Sequence, residues 1–293
     1  MFRNIINCTL LGFIAFSTGI LAANAQDFQN TKNLAEHGSA DAQAKLGVMY
    51  ELGHGVPESH SEAVRWYRKS ADQGYVWGQF YLGNMYNTGK GVPENDIEAV
   101  MWFRKAADQG HASSQVNLGV MYDFGEGVPE NDSEAFKWYR KAAGHGNAQA
   151  QYNLGVLYEF GNGVPENDPE AVQWYRKAAD QGYAKAQYNL GIMFDNGTGV
   201  PENDAEAVRW FRKAADQGHA GAQRNLGVNY ALGEGITKNL VLGYQWSSLS
   251  AAQGNSGAKE NKLAISKLMT SSQITEAQRL STICFNNNYV ACD

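Results

Sequence analysis

Apolar residues recur along the chain at helical spacing. In the segment AQAQYNLGVLYEF, residues 148–160, apolar side chains at Ala150, Leu154, Leu157 and Tyr158 lie at positions i, i+4, i+7 and i+8. This spacing places them on one face of an α-helix. The segment is followed by GNGVP, where glycines suited to a left-handed backbone precede a proline that cannot continue a helix. The pattern therefore predicts a helix over 148–160.

A second helix is predicted after this loop. The sequence NDPEA offers Asn167 or Asp168 as the N-cap, and Glu170 lies three residues after Asn167, as in a capping box. Pro169 is tolerated in a first turn. The segment continues through VQWYRKAADQ to Gly182. Two helices joined by a glycine-rich loop thus form the local unit.

This unit is repeated with a period of 36 residues. Glycines mark the period at 38, 74, 110, 146, 182, 218 and 254, and tryptophans recur at 66, 102, 138, 174, 210 and 246. One helical hairpin cannot bury its apolar face alone, so neighbouring units must stack, with the tryptophans as contacts between them. We therefore expect an all-α fold, a right-handed α-solenoid superhelix of stacked antiparallel helix pairs. Six units fill 38–253, a lone capping helix fills 26–37, and 254–293 hold a degraded seventh unit with a capping helix.

The unit resembles a known repeat. The segment AQYNLGVLYEFGNGVPENDPEAVQWYRKAADQG is similar to the Sel-1-like repeat (SLR), a relative of the tetratricopeptide repeat with a longer loop between its helices. The resemblance extends over about 38–253, and the sixth unit departs from it because GEGITKNLVLGYQWSSLS lacks the Pro-Glu and Arg-Lys pairs. It implies scaffold or adaptor work between proteins, often in secreted or periplasmic bacterial proteins, and it implies no cofactor.

The first 25 residues have the composition of a secretory signal peptide. Arg3 is their only charged residue, and the apolar run CTLLGFIAFSTGILAA ends near an ANA cleavage signal before Gln26. A transmembrane helix is the weaker interpretation, because a small-residue cleavage site follows the run. No second apolar stretch of spanning length follows. We expect an exported protein, periplasmic or secreted, without membrane insertion after signal removal.

Cysteine usage and charge agree with export. The chain after residue 25 keeps only Cys284 and Cys292, which in an oxidising compartment would close a disulfide around FNNNYVA; two free thiols are the alternative. Loss of Arg3 would change the formal charge from −6 to −7. A mildly acidic chain argues against nucleic acid as a partner, since nucleic acid requires a basic surface.

The sequence carries no catalytic or metal-binding motif that we recognise. Ser256 and Lys259 match S-x-x-K, but the companion S-D-N and K-T-G motifs of β-lactam-binding enzymes are absent. A cell-wall or β-lactam hydrolase, an activity once credited to cysteine-rich relatives in the SLR family, is therefore only the alternative. His111 and His219 alternate with tyrosines in sister units and are interpreted as surface variation. The recurring Arg-Lys pairs are interpreted as helix-dipole partners on a solvated ridge.

The candidate binding surface is the concave face expected from the first helix of each unit, by resemblance to tetratricopeptide arrays. Asparagine is unfavourable inside helices, yet it recurs in the motif NLG on the flank of the core-facing side. The resemblance implies that asparagines at this position and three residues later hold an extended peptide. These are Asn117, Asn153, Asn189 and Asn225 at the first position and Asn84 at the second.

Aromatic and acidic residues border these asparagines. Tyr152 and Tyr188 offer apolar rings with polar tips. An acidic row follows one turn later at Glu51, Asp123, Glu159 and Asp195. We therefore expect a protein or extended peptide with basic or polar residues as the partner.

Three alternatives remain open. The asparagines could instead brace neighbouring helices, and the acidic row could be ordinary surface charge. Trp77 lies outside the tryptophan period. An exposed Trp77 would mark an interaction site; the alternative is that its ring packs on the end of the first unit. The array could also be a purely structural spacer.

Overall fold

The structure, a computed structural model, describes residues 25–289 and 292. The predicted signal peptide and its cleavage site therefore lie outside the described residues, except for Ala25. Within the described part the chain forms fifteen α-helices and no strand.

The helices alternate along the chain in two series. The first helices of the repeats are α2 (Ala40–Leu52), α4 (Val76–Thr88), α6 (Ala112–Phe124), α8 (Ala148–Phe160), α10 (Ala184–Asn196), α12 (Ala220–Leu232) and α14 (Ser256–Ser266). The second series comprises α1 (Ala25–Glu36), α3 (His60–Asp72), α5 (Asp96–Asp108), α7 (Asp132–Gly144), α9 (Asp168–Asp180), α11 (Asp204–Ala215) and α13 (Leu240–Ala252). Helix α15 (Ser271–Asn286) follows them. The predicted α-solenoid architecture of helix pairs 36 residues apart is confirmed.

Local sequence chemistry sets the ends of these helices. Helix α8 covers the segment predicted from the apolar pattern, and it ends at Gly161 with a left-handed φ of 69°. The N-cap of α9 is Asn167, whose side chain accepts a hydrogen bond from the Glu170 backbone N–H at 3.1 Å. Equivalent caps begin the neighbouring second helices at Asn95, Asn131 and Asn203.

The chain divides into two compact units that are larger than a single repeat, one ending at His145 and the other beginning at Gly146. From here on, 'first unit' and 'second unit' mean these two parts, and the 36-residue elements are called repeats. In each unit, the leucine of the NLG motif is completely buried. The glycine of the motif allows the two helices of a repeat to touch: a Cβ at Gly155 would lie 2.5 Å from the ring of Tyr175.

The tryptophans line the second helices and carry lysines on their rings. Trp66, Trp102, Trp138, Trp210 and Trp246 are buried, and Trp174 is half-buried. In five repeats the lysine three residues later lies over the ring, at 3.7–4.2 Å from its centroid.

Several of the arginines that precede these lysines reach into the next repeat. Arg68 donates a hydrogen bond to Tyr86 and Arg104 to Tyr122 in the first unit, and Arg212 donates to Tyr230 in the second. Most side chains of the Arg-Lys pairs are exposed, as expected of a solvated ridge, but several of them also contact aromatic rings. These side chains join second helices to neighbouring tryptophans and tyrosines.

The predicted disulfide is confirmed at the end of the chain. Cys284 and Cys292 are bonded, with their Cα atoms 4.8 Å apart, and both side chains are buried. The tail between them packs on the second unit: the Gln245 amide donates to the Cys292 carbonyl, and the Tyr289 ring lies against Gly218.

Candidate binding surface

The asparagines predicted to bind a partner are all half-buried on first helices. In the first unit, the Asn117 amide donates to the Asn84 side-chain oxygen at 3.4 Å, which joins α6 to α4. In the second unit, the Asn189 amide lies close enough to the hydroxyls of Tyr152 and Tyr175 to lower the pKa of each against the larger opposing effect of burial, so α10 lies beside α8 and α9. These asparagines therefore contact neighbouring helices while keeping part of their surface in solvent.

An asparagine also occupies this helix position in the seventh repeat, beyond the four that were predicted. Asn261 in α14 lies one period after Asn225 and is half-buried. Its Nδ2 is buried and has no hydrogen-bond partner within the part of the chain that the structure describes. Sequence reasoning missed this residue because the seventh repeat is degraded around it.

The rings of Tyr152 and Tyr188 each contact an aromatic side chain of the following repeat. The Tyr152 ring centroid is 5.3 Å from that of Tyr183, and the Tyr188 centroid is 4.5 Å from that of His219. A Cβ at Gly221 would lie 2.9 Å from the Tyr188 ring. Burial raises the pKa of both tyrosines, so both hydroxyls are protonated at neutral pH.

The acidic row is half-buried, and three of its members accept hydrogen bonds from tyrosines of the second helices. The pairs are Glu51 with Tyr67 at 2.6 Å, Asp123 with Tyr139 at 3.3 Å, and Glu159 with Tyr175.

Asp195 differs from the other three because Phe211 occupies the tyrosine position opposite it. Burial and three neighbouring carboxylates raise the pKa of Asp195. Burial also raises the pKa of Asp123, although the Tyr139 hydrogen bond opposes this shift.

Trp77 is half-buried, and its ring packs in an aromatic cluster of the first unit. Its centroid lies 4.7 Å from that of His111, 5.9 Å from that of Tyr81 and 6.2 Å from that of Phe80. His111 also caps α6, because its Nδ1 accepts from the Ser114 backbone N–H at 3.2 Å. Burial lowers the pKa of His111 to about 4.

The interpretation of His111 and His219 as surface variation is therefore wrong. His219 caps α12 in the same way, since its Nδ1 accepts from the Ala222 backbone N–H at 3.2 Å. Burial lowers the pKa of His219 as well.

A buried glutamine on each first helix from α2 to α12 was missed by sequence reasoning. In five of these six described residues the Nε2 donates to a backbone carbonyl of the preceding second helix. In five of them, all except Gln115, the Oε1 accepts from a glutamine 30 residues later. We call these paired residues the glutamine ladder; its pairs are Gln43–Gln73, Gln79–Gln109, Gln151–Gln181, Gln187–Gln217 and Gln223–Gln253. The sequence feature that could have revealed these residues is the glutamine that recurs two residues before the asparagine position, on the buried side of the helix.

The residues of the hydrolase motif do not lie in an enclosed site. Ser256 and Lys259 are exposed on the first turn of α14. Among the described residues, no group of three His, Cys, Asp or Glu side chains is placed to hold a metal ion. No helix in the same part of the chain is long and apolar enough to cross a membrane.

Comparisons with known proteins agree on one repeat family. The family model of the Sel1 repeat matches residues 40–75, 78–111, 112–147, 148–183, 184–219 and 220–255. None of the curated proteins compared with the chain matches it.

Two solved structures share the fold. A Sel1 repeat protein from Oxalobacter formigenes is 36% identical, with a TM-score of 0.68, over 73% of this chain and 85% of that one. A protective antigen of uropathogenic Escherichia coli strains that displays an SLR fold is 27% identical, with a TM-score of 0.50, over 92% of this chain and 81% of its own.

Proposed function

The chain belongs to the Sel1 repeat family, and from this we propose that it is a non-catalytic scaffold that binds a partner protein through its first helices. We name the proposed surface of the second unit the amide face; its residues are Tyr152, Asn153, Tyr188, Asn189 and Asn225. In the first unit the corresponding residues are Trp77, Asn84, Asn117 and Asp123.

The observation that carries this proposal is the recurrence of half-exposed amides at one helix position. An asparagine side chain both donates and accepts, so a row of them is suited to the backbone of an extended segment. In the first unit, the hydrogen bond from Asn117 to Asn84 restricts the orientation of both amides. A side chain that is already ordered loses less conformational entropy when a partner binds.

The charges beside the amide face favour a basic or polar segment. Glu159 and Asp195 lie six residues after the asparagines of their helices, and both are half-buried. A carboxylate with reduced access to water interacts more strongly with a cation than one in open solvent.

The face is tested by replacing Asn153 and Asn189 together with alanine. Partner proteins captured from envelope extract are quantified for this variant, for the unchanged chain and for Arg209→Ala, a control whose side chain is 62% exposed on α11. We expect the double variant to lose capture while the control retains it. Each lost hydrogen bond costs about 1 kcal/mol, so melting curves are recorded in parallel.

The test also separates the alternative functions. Unchanged capture by a folded double variant would contradict the amide face and favour contacts elsewhere on a structural spacer. Hydrolysis of a β-lactam reporter that disappears in Ser256→Ala would instead favour a hydrolase.

Export is a further part of the proposal. It is supported by the signal-peptide composition of residues 1–25 and by the Cys284–Cys292 disulfide, a bond typical of oxidising compartments. We expect the protein in the periplasmic or culture-medium fraction, with Gln26 as its N-terminal residue. A cytoplasmic protein that begins at Met1 would contradict this.

A further inference from the structure

The facing first helices of repeats one and two differ from their sister helices. Ala44 is the smallest side chain at its repeat position, where the later repeats have Phe80, Val116, Tyr152, Tyr188 and Arg224. Trp77 is the largest at its own position, where the others have Asp41, Ser113, Gln149, Lys185 and Gly221. Tyr81 occupies the asparagine position. These departures leave a space on α2 and surround it with aromatic rings from α4.

The result is a shallow cleft between α2 and α4 that is open to solvent, which we call the aromatic cleft. It is lined by Asp41, Ala44, Lys45, Val48, Tyr75, Trp77 and Tyr81. Ala44 and Val48 form an aliphatic floor, and three aromatic residues form the walls. Tyr81 is held from behind by stacking on Tyr67, at 5.0 Å between centroids. The cleft therefore has ordered walls.

Carboxylates give this cleft a preference for positive charge. Asp41 accepts a hydrogen bond from the Tyr75 hydroxyl at 2.8 Å. Glu51 accepts one from Tyr67, beside Tyr81. Burial and these carboxylates raise the pKa of Tyr75 and of Tyr81 to about 12, so neither ring carries a negative charge at neutral pH. The faces of neutral aromatic rings attract cations.

We propose that the aromatic cleft binds the side chain of an arginine in a partner protein. This inference rests on the proposed function, since it assigns an anchor residue to the partner. The planar guanidinium stacks on Trp77 or Tyr81 and pairs with Asp41, and its methylene stem lies over the aliphatic floor. Arginine fits better than lysine here because its flat, weakly hydrated group is suited to stacking.

Lys45 provides an internal competitor for the bound arginine. Its Nζ lies 2.6 Å from Asp41 in an i,i+4 pair, and both side chains are about half exposed, at 50% and 48%. Such surface pairs contribute little, so a guanidinium can replace the ammonium at Asp41. Removing the lysine charge should therefore strengthen arginine binding. The same change would weaken the binding of an acidic ligand.

The test uses the chain labelled with 5-fluorotryptophan and observed by fluorine NMR, with Trp77→Phe to assign the Trp77 resonance. The probes are a blocked Gly-Ser-Gly-Arg-Gly-Ser-Gly peptide and the same peptide with neutral, isosteric citrulline. We expect the arginine peptide to shift the Trp77 resonance and to bind about threefold to tenfold more tightly than the citrulline peptide.

Two charge variants make the result specific to the cleft. Lys45→Met keeps the aliphatic stem and should lower the Kd of the arginine peptide about twofold to fivefold, whereas Asp41→Asn should raise it about fivefold. Both positions are half exposed, so melting curves are expected to change little.

Equal binding of both peptides, or weaker arginine binding by Lys45→Met, would overturn the proposal. The two proposals can fail separately. If the variant with Asn153→Ala and Asn189→Ala captures partners as well as the unchanged chain, the proposed function is refuted. If the arginine peptide still shifts the Trp77 resonance in that case, the cleft assignment stands.

Discussion

Replacing His145 with glutamine should complete a buried hydrogen bond that the third repeat lacks. In the other repeats, a glutamine at this position donates to the buried glutamine 30 residues earlier, at 2.7–2.8 Å. The third repeat has His145 instead, and the Oε1 of Gln115 is buried without a hydrogen-bond partner. Gln115 itself is 3% exposed.

The local geometry indicates how much the free energy of unfolding should increase in His145→Gln. The backbone at His145 has φ −88° and ψ 9°, close to −81° and 3° at Gln109, so a new glutamine can adopt the geometry of its sisters. His145 is exposed, and its removal loses little packing. One hydrogen bond to a buried unsatisfied acceptor contributes about 1 kcal/mol. For a chain of this size the melting temperature should rise by about 2–4 °C.

Thermal and urea unfolding of the purified chain measure this change. The reciprocal variant Gln109→His should lose about the same free energy. In a Gln115→Leu background, His145→Gln should have no effect, because the acceptor is gone. A gain that persists without the acceptor, or no gain in the natural background, would refute the role assigned to the glutamine ladder.

Three further predictions follow from single sites. Gly155→Ala should destabilise the chain by about 1–3 kcal/mol, because its Cβ would lie 2.5 Å from an aromatic ring, whereas Gly144→Ala, with nothing within 4 Å, should stabilise it by about 0.5–1 kcal/mol in urea unfolding. The pKa of His111 is about 4 in the folded chain and near 6.5 in the unfolded chain, so the unfolded chain binds more protons between these pH values. The free energy of unfolding should therefore fall by up to about 3 kcal/mol as the pH drops from 6.5 to 4. His111→Asn, which keeps a helix cap, should reduce this pH dependence in melting curves recorded across the same range. Reduction of Cys284–Cys292 should cost about 2–3 kcal/mol, because the bond closes a short loop; an equal melting temperature with and without reductant would contradict this.

The residues predicted to bind a partner show how far sequence reasoning extends. The phase of Asn153 on its helix predicted a flank position, and the residue is half-buried. The proximity of Asn189 to two tyrosines could not be predicted, because both tyrosines lie in the preceding repeat. Whether the asparagines also bind a partner stays a prediction, and the structure gives them neighbours of their own.

The sequence by itself determined the 36-residue period, the ends of the helices and the disulfide. These features depend on interactions between residues close in the chain or on a pattern repeated many times. Only the tertiary structure decided which side chains meet across repeats: the glutamine ladder, the tyrosine–carboxylate pairs and the aromatic cleft at Trp77. Such contacts depend on how helices rotate and shift against one another, and apolar spacing along one helix does not specify that arrangement.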